Sequence, residues 1–239
     1  MKTVPQVRSE GRGPAIWLAG DPADLGEWME RGATGIVTNT VVQNQLVKKY
    51  GTLKEVTQRY LDITDKPVVV EIDGHSTAEL VDVGHAFTAM SDQIMIKIPC
   101  TSVGLGAFRA FAAEGVTTFC TTVFSLTPAA AVARGGATHV LPFCEPVKQL
   151  NDDPARLVRE CRCMFEPWAG RPFVTAALVR SLDVAYAALR AGADGIIIFW
   201  ATLKEMMDHP LTTEWNKTFL DEWNAMHADG KLDGVPVAD

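Results

Sequence analysis

The chain lacks the signatures that most cofactor-using, metal-using and membrane proteins carry. Its histidines, at 75, 85, 139, 209 and 227, show neither His-x-His nor His-Glu-x-x-His spacing, so no metal site is expected. No Gly-x-Gly-x-x-Gly follows the first apolar run, which removes the best evidence for a dinucleotide cofactor. Ser125 lies in no Gly-x-Ser-x-Gly elbow, so hydrolase chemistry is unsupported. No apolar stretch of about 18 residues, signal peptide or lipidation motif is present, and a cytoplasmic protein without membrane contact is expected. Lys and Arg number 22 against 29 Asp and Glu, and no basic stripe exists, which argues against a nucleic-acid partner. The five cysteines, at 100, 120, 144, 161 and 163, form no C-x-x-C pairs, so neither a zinc ribbon nor a disulfide framework is indicated. Cys100 and Cys144 fall near strand ends, but no histidine partner for a reactive thiol is evident.

What is present is a regular alternation. Short apolar runs at Ala15–Ala19, Gly35–Thr38, Val68–Ile72, Gln93–Ile98, Thr117–Val123, Thr138–Phe143, Phe173–Ala177 and Gly195–Phe199 read as strands. Between them, stretches such as Thr77–Met90, Val103–Ala113, Ala155–Trp168 and Leu182–Arg190 space apolar residues three and four apart, as helices do. Glycines after several helices suit left-handed C-caps, and Asp21, Ser76 and Ser181 suit N-caps. Eight such units in 239 residues predict a single (β/α)8 TIM barrel, α/β in class, with its core over about 15–207. A further amphipathic helix is expected over 211–228, with Trp215, Phe219 and Trp223 four apart, covering the barrel or a neighbouring subunit. Residues 1–13 and 230–239 are polar, contain Gly and Pro, and are expected to be loose.

Active groups of such a barrel sit at the C-terminal ends of its strands. Polar residues there are Thr38 and Asn39, Glu71 and Asp73, Lys97, Thr121 and Thr122, and Arg180. Lys97 lies inside Ile94-Met95-Ile96-Lys97-Ile98-Pro99, where burial lowers an ammonium's pKa and leaves a nucleophilic amine. Two plainer readings stand beside this one: a lysine whose head reaches water, and a buried ion pair with Glu71 on the neighbouring strand. His75 reads as a loop histidine, and Trp200 either stacks on a substrate or packs at the rim.

These residues resemble the transaldolase family, and most closely its short bacterial branch that includes fructose-6-phosphate aldolase. The likeness runs from about Ile16 to Trp223. It is carried by Ile94 to Thr101 with Gly104-Leu105, by Ala113-Glu114-Gly115-Val116 leading into Thr121-Thr122-Val123-Phe124-Ser125, and by Thr38-Asn39. Val70-Glu71-Ile72-Asp73, His209-Pro210-Leu211-Thr212 and Phe219-Leu220-Asp221-Glu222-Trp223 complete it. The resemblance implies a Schiff-base enzyme without cofactor or metal, acting on a sugar-like ketose and an aldehyde. Lys97 would form the imine, Glu71 would activate a water as general acid and base, and Thr121 would orient that water. Asn39, with Thr38, would hold the hydroxyls of a dihydroxyacetone unit, and Arg180 would be the remaining basic group of the phosphate site. The unit would be passed to a second aldehyde, or, alternatively, released as in a simple aldolase; a barrel that only binds is the rival of another class. Phe119 stands where long transaldolases carry an asparagine, and the short branch is apolar there too. The short branch also implies a homo-oligomer, a pentamer or decamer, with the last helix on a neighbour.

Two departures stand out. The family's strand-one aspartate aligns with Ala19, and Asp21 is the candidate to replace it. The family's Ser-Pro-Phe-Val-Gly-Arg after strand six reads Leu141-Pro142-Phe143-Cys144-Glu145-Pro146, and its Ser-x-Arg/Lys after strand seven reads Leu178-Val179-Arg180. An arginine and a hydroxyl are lost and a carboxylate is gained. Since phosphate favours clustered cations and hydroxyl or backbone donors, the expected substrate is one without an ordinary sugar-phosphate end.

Overall fold

A computed structural model describes residues 13–232, 234 and 235 of the 239. The expected looseness of the two ends falls largely on residues outside this set. Eight strands, β1 (Ala15–Ala19), β2 (Gly35–Val37), β3 (Val68–Glu71), β4 (Ile94–Pro99), β5 (Thr118–Val123), β6 (His139–Pro142), β7 (Phe173–Ala176) and β8 (Gly195–Phe199), alternate with helices. They close into a barrel in sequence order, every neighbouring pair parallel and β1 joined to β8. The (β/α)8 barrel expected from the sequence is therefore the fold. The chain divides into two compact units, Met1–Thr202 and Leu203–Asp239. The second contains the helix Pro210–Ala228, which has no buried residue and exposes Trp215, Phe219 and Trp223.

The strands read as unbroken apolar runs because helices cover their outer face while their inner face fills the barrel. Strand β3, Val-Val-Val-Glu, is buried along its whole length. Side chains alternate along a strand, so every second residue points inward. Trp17, Ala19, Val37, Val69, Met95, Phe119, Leu141, Ala177 and Ile197 accordingly form one interior cluster. Trp17 is its largest member, meeting Phe119 edge-on at 5.1 Å. Its indole requires Gly35: a Cβ there would lie 2.6 Å from the Trp17 ring.

Local signals explain the joins. Asp21 caps the helix Pro22–Glu30 by accepting from Ala23 N, and Ser76 caps Thr77–Thr88 by accepting from Glu79 N. The helix Ser102–Glu114 stops at Gly115, which adopts the left-handed conformation at φ 75°. Ser181 also stands at a helix start, but its side chain makes no cap bond and instead accepts from Lys148 Nζ at 3.4 Å.

Candidate active site

Inward alternation carried two residues beyond the apolar cluster places Glu71, Lys97 and Thr121 at the C-terminal end of the barrel. Glu71 and Lys97 are register partners in β3 and β4, and Pro99 pairs with Thr121 in β4 and β5. Parallel neighbours lie about 4.8 Å apart, so the register alone sets the two charged side chains side by side. Lys97 Nζ is 2.7 Å from Glu71 Oε2 and donates to the Thr38 carbonyl at 2.6 Å. Both residues are buried, at 6% and 8% exposure. Burial lowers the Lys97 pKa, and the Glu71 carboxylate opposes that shift.

A small network fixes the pair. Thr38 Oγ1 accepts from Glu71 N at 2.9 Å and donates to Val69 O at 3.1 Å. Gln43 Nε2 donates to Thr38 Oγ1 at 2.8 Å and to Glu71 O at 3.0 Å. Gln43 was not singled out from the sequence, because a glutamine on an amphipathic helix reads as solvent-facing; here it is buried. Its position four residues after Asn39, on the inner face of the helix Thr40–Tyr50, was the available signal.

Above the pair opens a cavity of about 500 Å³, a size usual for small-molecule sites. Lys97, Glu71, Thr38 and Asn39 line it, and so does Arg180, which is exposed and has no hydrogen bond or ion pair among the described residues. Asn39 Oδ1 caps its helix by accepting from Val42 N at 2.9 Å. Thr121 sits behind the lining, buried, with a hydroxyl that has no partner. Thr122 lines the cavity at φ 58° and Leu178 does so at φ 51°. Positive φ at a residue other than glycine costs of order 1–3 kcal/mol and gathers at functional sites.

Other candidates lie elsewhere. Asp21 does not line this cavity. Its Oδ1 accepts from Ala23 N at 3.0 Å and from the Tyr50 hydroxyl at 2.6 Å, and its Oδ2 from Lys49 at 2.7 Å. Partial burial is the largest single influence and raises its pKa, but the bonds from Lys49, Tyr50 and Ala23 together outweigh it and hold the carboxyl below the usual range. Asp73 is exposed and accepts from Gly74 N, and the exposed His75 donates its backbone amide to Glu79. Glu145 Oε2 is buried without a partner beside Pro146, where the resemblance would put an arginine. Among the described residues, no three His, Cys, Asp or Glu side chains gather as metal ligands.

A buried amine and a carboxylate 2.7 Å apart thus line a cavity of small-molecule size at the C-terminal mouth of a (β/α)8 barrel. Residues 39–234 match the family described as Transaldolase/Fructose-6-phosphate aldolase, and the chain belongs to that family. A "Probable transaldolase" of Thermoplasma volcanium is 31% identical over 216 residues, 89% of this chain and 97% of the relative. A "Probable transaldolase 1" of Listeria monocytogenes serotype 4b is 31% identical over 206 residues, 86% and 96% of the two chains. The solved structure of 2,3-dimethylmalate lyase superposes with a TM-score of 0.55 at 14% identity, over 95% of this chain and 85% of that one, a likeness of fold alone. The protein is an enzyme of the aldolase or transaldolase type. The matched stretch begins at Asn39, so Ala19 and Asp21 precede it.

Proposed function

We propose that the protein is a Schiff-base transaldolase acting through Lys97. The observation that carries this is the buried Lys97–Glu71 pair opening on the 500 Å³ cavity. Lys97 Nζ adds to the carbonyl of a ketose, and loss of water leaves a protonated imine. A water held by Glu71 and by the unpartnered Thr121 hydroxyl takes the proton of the hydroxyl borne by the far carbon of the scissile bond, which becomes the aldehyde carbonyl. The carbon–carbon bond breaks, its electrons move to the imine nitrogen, and an aldehyde leaves. The remaining enamine adds to a second aldehyde, and hydrolysis then frees the lysine; protonation of the enamine would instead release the three-carbon unit, as in a simple aldolase. We assign Asn39 and Thr38, which both line the cavity, to the hydroxyls of that unit. Asp21 stands away from the cleft, with its carboxylate engaged, and supports the loop after β1.

The substrate we assign is a sugar whose far end is free or otherwise modified. Besides Lys97, Arg180 is the one cation lining the cavity among the described residues; Pro146 and Leu178 occupy the other two family positions, and Glu145, whose amide donates to Leu178 O, adds a carboxylate. We further assign the protein to the cytoplasm, which suits its five free thiols. A homo-oligomer, with the exposed Trp215, Phe219 and Trp223 face on a neighbour, completes the reading, and a monomer by light scattering would overturn that part.

The deciding experiment incubates the protein with dihydroxyacetone, reduces with borohydride and measures the mass. An adduct mapping to Lys97 is expected, and its absence across a panel of ketones sinks the mechanism. Saturation by fructose 6-phosphate at low millimolar concentration would sink the substrate assignment while leaving the mechanism intact.

A further inference from the structure

Beside the reaction cleft lies a second chamber of about 320 Å³. The two share Val42, Gln45 and Phe199 as a border, and Gln45 and Phe199 are exposed there. The shared border sets the two side by side. Its other walls include Asp21, Asp24, Lys49 and Trp200.

The chamber is built rather than incidental. The loop that forms one wall is pinned from below, since the buried Tyr60 donates its hydroxyl to Gly20 O at 2.7 Å and Tyr50 donates to Asp21. Trp28 stacks behind Trp200, with ring centres 6.4 Å apart and planes 23° apart, which fixes the angle of the indole. Preformed walls of this kind reduce the ordering cost of binding.

Charge narrows the occupant. Asp21 and Lys49 neutralise one another at 2.7 Å, while Asp24 has no ion pair among the described residues. The chamber is therefore net negative and disfavours a phosphate by Coulomb repulsion. It offers a carboxylate and the Gln45 amide as hydrogen-bonding groups and the Trp200 indole as a flat apolar surface. Hydroxyls satisfy the first two, and the C–H face of a sugar or polyol lies against the third.

We propose that this chamber is a second subsite, taking the neutral, hydroxyl-rich far end of the substrate, with Trp200 and Asp24 as its specificity-determining residues. The inference rests on the reaction proposed above and extends it. That reading leaves the far end of the substrate without a phosphate grip, and the chamber supplies a different one.

The test uses the full chain, dihydroxyacetone as donor, and glyceraldehyde, arabinose or arabinose 5-phosphate as acceptor. Trp200→Ala should lower the ratio of kcat/KM for arabinose over glyceraldehyde about tenfold. Asp24→Lys, at an exposed position, should shift preference from arabinose toward its 5-phosphate. If both variants leave these ratios unmoved, or Trp200→Ala weakens the two uncharged acceptors equally, the subsite is overturned. If the wild type forms no Lys97 adduct and turns over nothing, the failure belongs to the reaction, and binding decides for the chamber. Calorimetric titration with arabitol should then show binding that Trp200→Ala and Asp24→Lys weaken; no binding, or binding unaffected by either change, overturns the subsite.

Discussion

His139 at the N-terminal end of the barrel and Lys97 toward its C-terminal end are both buried, and burial lowers the pKa of both, to about 3 for the imidazole. Their surroundings differ. His139 stacks on Phe119 at 3.8 Å and on Phe173 at 4.9 Å, and its Nδ1 meets Thr175 Oγ1 at 3.1 Å. It is a packing residue with one side-chain hydrogen bond, and it does not line the reaction cavity. Lys97 has a carboxylate at 2.7 Å and a cavity beside it. A perturbed pKa thus marks a buried group at either end. What separates a candidate for chemistry is a proton partner together with room for a reacting molecule.

The largest expected effect comes from breaking the Lys97 end. Lys97→Met should cut turnover by at least about a thousandfold and abolish the borohydride adduct. It also leaves Glu71 buried without its counter-ion, at a cost of about 3–5 kcal/mol in stability. The double variant Lys97→Met, Glu71→Gln should recover most of that stability in urea titrations while remaining inactive. Recovery of activity along with stability would make the pair purely structural.

Next in size is Glu71→Gln, which should slow turnover about 10²- to 10⁴-fold if the carboxylate moves protons. Adduct formation needs the neutral amine, so it should rise with pH and level off below the ordinary lysine pKa, because burial lowers that of Lys97. Glu71 holds the ammonium form, so its neutralisation should move this rise to lower pH even as turnover falls. The acid shift reports the ion pair in either role, so turnover separates them: a purely structural Glu71 predicts the shift with turnover unchanged once the fold is intact. The pH dependence of adduct mass after a short exposure measures the shift.

The sequence exposes the Lys97 end clearly and its supports poorly. A lysine and a glutamate inside β-branched runs are visible because apolar neighbours leave the charge nothing else to explain it. Strand limits were readable to within a residue: β4 was expected over Gln93–Ile98 and runs Ile94–Pro99. Proline can close a strand because only its missing N–H disqualifies it from the ladder. Gln43 stayed hidden because its partners, Thr38 and the Glu71 backbone, are brought to it by the closure of the barrel. The positive φ of Thr122 and Leu178 was equally unreadable, as neither residue type advertises that conformation. Trp200 was left between stacking and rim packing, and the border of a second chamber could be drawn only once Trp28 and Gln45 had been placed around it.

At the His139 end the expected effects are on stability alone. Its folded pKa of about 3 lies below the unfolded value near 6.5, so between those limits the unfolded chain binds a proton that the folded one does not. Stability should therefore fall as pH drops through that window, by up to about 1.4 kcal/mol per pH unit from this group. His139→Gln keeps a partner for Thr175 and removes the titration. Urea midpoints between pH 6 and pH 4 should then fall less steeply, by about one linked proton. An unchanged slope would mean that His139 takes up its proton without unfolding the barrel.

The smallest effect sharpens the boundary of the site. Asp21 accepts from Ala23 N, Tyr50 and Lys49, and all three bonds hold the start of the helix Pro22–Glu30 or the loop before it. Loss of an N-cap costs about 1 kcal/mol, and for a chain of this length that lowers Tm by about 2–4 °C. Asp21→Ala should show that loss in a thermal melt, with trapping at Lys97 persisting. The opposite pattern, a full Tm with turnover down about a hundredfold, would give Asp21 the proton-transfer role of the strand-one aspartate missing at Ala19. In that case the functional end of the barrel would extend past its lining to the loop after β1, and the chamber beside it would have to be redrawn as part of the reaction cleft.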